Sequence, residues 1–485
     1  MNKHLVDLLK STCLYSGTQI FSRLLTFFFL PLTTTYLTLH DYGLISALVI
    51  FGQLVNGLFS LGFGVSLNRF YSQAADQKTK DGVVWSAFIA LFIHVFFLCL
   101  VAIVFDREIS WITFGSEKEV TLIILNTITI AISTITLPFL SAYRLENKLK
   151  FVLLISLLEV VINVGLAMTL LIAAGLGVLG MVVAALIAQS ITCLIVIIYA
   201  LPKLQFSFRW PELLAMLKLG IPYIWGINCS LFLQCSSRYF LQFFSGLDMV
   251  GLFFMGANFA RIIELPILGF LSAWPVFFSR LWMRGDGPVV LPKVLSYYFM
   301  VTSIAALAFF GLSKTLVHVM VQPPYYSSWT VVGIMALSYV IWGAYSMILT
   351  SFAFDYRGWM QMATEIGCCI LNILLNCLLI PLFQKDGAAW ATLFSMCALL
   401  FTSLVCNASL FHLAQEKIRL SRIFSFFICG SSLTFLPIAN RAVYLFLMAF
   451  TMVFYCVGLW LYCLSKEEKM HVRTFFKLKK ITAFE

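Results

Sequence analysis

The sequence predicts an all-α, polytopic membrane protein of about 14 transmembrane helices, and three observations carry that prediction. Hydrophobic residues make up 61% of the 485 and charged residues only 11%, with a mean hydropathy of +0.97. A water-soluble chain of this length needs a far more polar surface. About 14 apolar stretches reach the roughly 20 residues that a helix needs to cross a bilayer. Finally, 24 of the 32 Lys and Arg fall in alternate connections, while five lie in the others and three inside spans. That asymmetry predicts an even number of crossings with both termini cytoplasmic.

In chain order the expected spans lie near 13–37, 42–66, 83–105, 119–141, 151–173, 178–200, 219–245, 248–273, 293–313, 328–352, 362–383, 387–410, 423–439 and 443–464. The opening MNKHLVDLLK (1–10) lacks the small-residue cleavage site of a signal peptide, so the first span is expected to be retained. The basic connections 69–82, 142–150, 201–218, 274–293 and 411–422 are assigned to the inside, together with the C-terminal tail. The longest outer connection, near 106–118, is too short for a folded domain, so function is expected within the bilayer. The formal net charge of +11 follows from topology, and its distribution excludes nucleic-acid binding.

Several familiar motifs are absent or out of context. The 13 cysteines form no CxxC and sit mostly in apolar runs, as small buried hydrophobes rather than disulfides or metal ligands. GLGVLG (175–180) satisfies GxGxxG, but it joins two bilayer-length helices with no preceding strand, and is expected to be a tight turn. There is no Walker lysine motif, no HExxH and no GxSxG, which disfavours ATP hydrolysis, metal chemistry and enzymatic activity in general.

Intramembrane charge then carries the functional expectation. Arg23, Arg238 and Arg261 lie inside spans, where a charge near the bilayer centre costs roughly 3 kcal/mol or more. Each either snorkels to an interface or faces a wet cavity. Glu264 follows Arg261 at i+3 and shares its helix face, so the two also read as a self-neutralised structural pair. Glu159 and Asn163 are one turn apart, and Glu365, Asn372 and Asn376 form a stripe at i, i+7 and i+11. Such stripes suit either a cavity wall or interhelical hydrogen bonds. Glu159 and Glu365 are candidates for proton or sodium coupling, and His94 reads as a satisfied buried histidine rather than a relay. Three arginines against few unpaired carboxylates favour an anionic passenger, and the planar fork of arginine matches phosphate. A transporter of a phosphate-bearing solute or lipid is expected.

A weak internal echo divides the chain. DYGLISAL (41–48) and NRFYS (68–72) are echoed by DMVGLFFM (248–255) and FFSRLW (277–282). NVGLAMTLLIAAGLGVLG (163–180) is echoed by NILLNCLLIPLFQKDGAAWAT (372–392). The echoes lie six spans apart, which predicts a parallel repeat with a pseudo-twofold along the membrane normal. The expected domains are six-helix lobes at 1–200 and 201–410, then two extra helices and a basic cytoplasmic tail at 411–485.

Four stretches in order resemble bacterial polysaccharide flippases of the multidrug/oligosaccharidyl-lipid/polysaccharide exporter superfamily. They are residues 8–46 with LGFGVSLNRFYS (61–72), LGIPYIWG (219–226), SSRYFLQFFSGLDMVGLFFMGANFARI (236–262) and 372–392. The resemblance extends to about residue 405. One departure is FQKD (383–386), a turn without the usual glycine, which detracts little from the resemblance because the following GAAWAT (387–392) stands. The resemblance implies alternating access by two lobes around a central cavity, no enzymatic activity and no cofactor beyond a coupling proton or sodium ion. It implies transfer of an undecaprenyl-diphosphate-linked oligosaccharide, such as an O-antigen repeat unit of lipopolysaccharide, from the cytoplasmic to the periplasmic leaflet of the bacterial inner membrane. The diphosphate would sit on Arg23, Arg238 or Arg261. Membrane lipids and the polysaccharide polymerase machinery are the expected partners. A lipid II flippase or a drug/cation exporter of the same superfamily remains an alternative, as does, in another class, a polysaccharide polymerase or ligase. Acidic cavities suit drug cations, and the polymerases and ligases need a large outer loop that this chain lacks.

Overall fold

A computed structural model describes residues 23–25, 27–146, 148–284, 287–354, 357–408, 416–432, 441–466 and 468–470. Among these every regular element is helical, and ten helical stretches are long and apolar enough to cross a membrane. Two of the ten are 45 and 49 residues long, Cys235–Ser279 and Gly358–Cys406. A straight 49-residue helix would measure about 74 Å, more than twice the roughly 30 Å hydrocarbon core, so each must turn back. The backbone breaks at Gly246 (φ 79°, ψ 173°) in one helix and at Gln384 (φ 49°, ψ −124°) in the other. Each break falls between two expected spans, and the ten stretches overlap twelve of the fourteen. The remaining two, 13–37 and 423–439, lie partly outside the described residues, as does the tail at 471–485.

The chain divides into two compact units. The first comprises Met1–Asn258, Met320–Ser327 and Glu365–Ser395. After a helical stretch at 27–36, α1 (Leu39–Phe59) begins at a capping box in which the Thr38 hydroxyl and the Asp41 carboxylate satisfy each other's backbone N–H. There follow α2 (Phe63–Gln73), α3 (Gln77–Val104), the short α4 (Asp106–Phe114), α5 (Val120–Leu145), α6 (Leu149–Ile172), α7 (Gly177–Ala200) and the kinked α8 (Trp210–Ala260). The GLGVLG turn is as expected: Gly175 and Gly177 both take positive φ, at 62° and 55°. A buried cluster that includes Phe63, Leu67, Leu91, Phe139 and Met216 packs α2, α3, α5, α6, α7 and the start of α8 together. The non-helical lead into α8 is pinned beneath α3: the Gln205 N–H donates to Asp81 (3.0 Å) and the Arg209 N–H to Ser86 (2.8 Å).

Two backbones touch in this unit. A Cβ on Gly43 of α1 would stand 2.2 Å from the Leu247 carbonyl oxygen, and one on Gly251 of α8 the same distance from the Leu39 carbonyl oxygen. Only glycine permits this approach, the small-residue contact by which membrane helices gain packing that lipid cannot supply.

The second unit comprises Phe259–Val319, Ser328–Thr364 and Met396–Glu485. It contains α9 (Glu264–Arg284), α10 (Gly287–Met320), α11 (Trp329–Phe354), the ends of α12 (Gly358–Cys406), α13 (Lys417–Ser432) and α14 (Arg441–Gly458). Aromatic donors tie these helices through carbonyls that side chains rarely reach: Trp274 Nε1–H to Met347 O (2.9 Å), Tyr298 O–H to Val340 O (2.8 Å) and Tyr444 O–H to Gly311 O (2.9 Å). Beyond α14, Ser465 and Glu468 form a second capping box. Glu468 also accepts from Tyr297 and, at 2.7 Å, from Arg419. Burial alone would raise the Glu468 carboxyl, but these donors and the Ser465 N–H hold it down at about 2.

Candidate functional site

The first unit holds two linked polar features: a buried hydrogen-bond network and an open, uncharged groove. The network joins α8 to both limbs of α12. The Ser236 hydroxyl donates to Asn372 Oδ1 (2.6 Å), and Asn376 Nδ2 donates to the same oxygen (2.7 Å). Asn372 Nδ2 donates to Ser395 Oγ (2.9 Å), and Ser237 and Thr392 share a hydrogen at 3.0 Å. Asn372, Asn376, Glu365 and Arg238 are all buried. The Arg238 guanidinium packs over the rings of Phe253 and Phe254, with its carbon 6.0 and 5.4 Å from their centroids. The negative ring faces help to hold a cation away from water. Asn372 and Asn376 thus bridge helices, whichever further part they play in transport.

The groove lies among α1, α5 and α7 and has a volume of about 450 Å³, within the range of small-ligand pockets. Its polar lining is Gln53 and Asn56 from α1, Asn126, Thr129 and Ser133 from α5, and Gln189 from α7. Ile45, Leu48, Ile130 and Met181 supply apolar surface between them. Among the described residues no ionisable side chain lines it. It meets the network at one point: the Cys235 thiol, next to Ser236, donates to Gln53 Oε1 at 3.3 Å. Arg238 lies one helical turn beyond Cys235 on α8.

Of the residues singled out from sequence, Arg238, Glu365, Asn372 and Asn376 thus belong to the first unit and are buried there. Arg23 is half-buried in the same unit, just before the stretch at 27–36. Glu159 and Asn163 are half-buried on α6, whose main packing partner is α7. Arg261 and Glu264 belong to the second unit, with Arg261 Nε 3.9 Å from Glu264 Oε1, so the cation has its counter-charge on its own helix. His94 reaches the Leu58 carbonyl at 3.3 Å, a structural contact. Gln53, Asn56, Asn126 and Gln189 escaped sequence reasoning, although Gln53/Asn56 and Asn126/Thr129/Ser133 carry a legible i, i+3 and i, i+3, i+7 spacing. The FQKD turn holds a strained residue. Without its glycine, Gln384 is forced into a backbone region suited to glycine, at a cost on the order of 1–3 kcal/mol.

The fold defines the class. The structure resembles the lipid II flippase MurJ in an inward closed conformation, with a TM-score of 0.68 at 14% identity over 91% of this chain and 97% of that one. It also resembles an inward-facing multidrug resistance MATE family transporter of the MOP superfamily, with a TM-score of 0.66 at 15% identity over 83% and 96%. A third likeness is the Vibrio cholerae MATE transporter VcmN, with a TM-score of 0.51 at 13% identity over 83% and 95%. No curated protein matches in sequence. The chain shares the fold of these solved structures. A family model described as "Polysaccharide biosynthesis protein" matches residues 8–282, more than half of the sequence, and the chain belongs to that family.

Proposed function

We propose that the chain moves a lipid-diphosphate-linked oligosaccharide, an O-antigen or related surface polysaccharide repeat unit, from the cytoplasmic to the periplasmic leaflet of a bacterial inner membrane. The observation that carries this reading is the uncharged amide- and hydroxyl-lined groove in a member of a polysaccharide biosynthesis family. Sugar hydroxyls both donate and accept, and so do primary amides. A drug cation would instead call for a carboxylate in the wall. The diphosphate would be held by arginine, for which Arg23 and Arg238 in the unit that holds the groove are the first candidates. Glu159 or Glu365 would carry a coupling proton or sodium ion. The expected lobes at 1–200 and 201–410 would then alternate access without enzymatic chemistry.

The test is expression in a host deleted for its own repeat-unit flippase, with surface polysaccharide and membrane protein level measured together. Restored polysaccharide is expected from the wild type, partial restoration from Arg238→Lys and none from Arg238→Ala at equal level. Failure of the wild type to restore any of several repeat units, coupled with a gain of drug resistance, would overturn the reading in favour of a drug exporter. Rescue of a lipid II flippase deletion alone would redirect it to lipid II.

A further inference from the structure

Resting on that reading, we infer that the groove among α1, α5 and α7 selects an uncharged sugar, so that the glycan portion it receives carries neither a carboxylate nor an ammonium group. The argument starts from which atoms of the wall remain able to bond. The Gln53 oxygen is taken by the Cys235 thiol at 3.3 Å, which leaves the Gln53 amide hydrogens as donors. One Asn126 Nδ2 hydrogen goes to the Leu48 carbonyl at 3.2 Å, which leaves the other as a donor and the Asn126 oxygen as an acceptor. The Thr129 hydroxyl spends its hydrogen on Leu125 O at 2.8 Å and presents lone pairs. Neighbouring wall positions therefore offer a donor beside acceptors. A sugar hydroxyl, or the amide of an N-acetyl sugar, satisfies both at once.

A charged sugar fares differently. The carboxylate of a uronic acid only accepts, so it could use the amide hydrogens but would turn lone pairs toward the Asn126 and Thr129 oxygens, and among the described residues no Arg or Lys lines the groove to neutralise it. The ammonium of an amino sugar would find acceptors but no carboxylate. A charge taken from water into such a site is uncompensated, and this is the arrangement that proteins tolerate least. The groove's charge selection is thus opposite in kind to the arginine that serves the diphosphate: charge is wanted at the lipid-linked phosphates and unwanted at the sugar.

The test uses the full chain in lipid nanodiscs and three probes: a polyprenyl-diphosphate trisaccharide of neutral hexoses, the same molecule with one hexose replaced by its uronic acid, and polyprenyl diphosphate without sugar. The neutral glycan is expected to bind at least about tenfold more tightly than the acidic one, the direction set by the uncompensated charge. Gln53→Lys should narrow or invert that ratio. Gln189→Ala should weaken the neutral glycan and leave sugar-free lipid unchanged, and a monodisperse elution profile for each variant checks its fold. Equal affinities for neutral and acidic glycans, or a ratio unmoved by Gln53→Lys in a folded protein, would overturn the inference while lipid-linked sugar transport stands. Binding to none of the three probes would overturn the proposed function and this inference with it.

Discussion

Replacing Gly43 or Gly251 by alanine places a methyl group where a backbone oxygen already stands. The Cβ at Gly43 would lie 2.2 Å from Leu247 O and 2.8 Å from Leu247 C, and at Gly251 2.2 Å from Leu39 O. A carbon–oxygen contact settles at roughly 3.3–3.6 Å, so each site is short by about 1 Å. Because the obstacle is main chain, no rotamer change relieves it, and α1 must move away from α8. Overpacking of this kind costs about 1–3 kcal/mol. Gly165, within α6, is the matched control: a Cβ there meets nothing within 4 Å, and alanine should gain up to about 1 kcal/mol of helix propensity. The same substitution is therefore expected to have opposite signs at the two places. The double variant Gly43→Ala/Gly251→Ala should cost less than the sum, since separating the helices for one methyl makes room for the other. The measurement is the fraction of detergent-purified protein still monodisperse after graded heating. If Gly43→Ala and Gly251→Ala survive as well as Gly165→Ala, the backbone contact is refuted.

Two further outcomes follow from local geometry. Gln384→Gly should stabilise the protein by about 1 kcal/mol, the relief of a strained backbone less the entropy cost of glycine; Gln384→Ala, which keeps the strain, should leave heat resistance nearly unchanged, and equal behaviour of the two variants would remove strain as the cause. The Glu468 carboxyl sits at about 2 against an ordinary 4.5, so its contribution is fully present above pH 4.5 and is lost as pH falls toward 2. Hydrogen-exchange protection of the 464–470 backbone, corrected for intrinsic rate, should drop across that window in the wild type and be low at every pH in Glu468→Gln; a pH-independent wild type would contradict the assignment.

How much of this was legible in the sequence depended on how loudly each residue type announces its cost. Apolar length and the placement of Lys and Arg gave the class and most spans, because leaving a charge in hydrocarbon or a long apolar run in water is expensive. The break at Gln384 was harder to read: the missing glycine was visible in FQKD, but its price shows only in the backbone angles. Arg238 drew attention by its charge and proved buried. The amides of the groove carry no such flag. Gln53, Asn126 and Gln189 lie on three helices far apart in sequence, and each alone is an ordinary polar residue in an apolar run. Only their convergence makes a site, and convergence is a property of the fold.

The glycine contact shows what the internal echo contributes physically. DYGLISAL (41–48) and DMVGLFFM (248–255) echo each other in sequence, and in the structure the glycine of each meets backbone just before the other, Gly43 against Leu247 and Gly251 against Leu39. Equivalent points of a twofold arrangement lie on opposite sides of its axis at equal distance, so they touch each other only where the axis passes between them. Reciprocal contact of two echoing segments is what the expected pseudo-twofold would produce at this crossing. A side chain at either glycine would force both segments apart, so one steric requirement acts on two stretches of sequence at once.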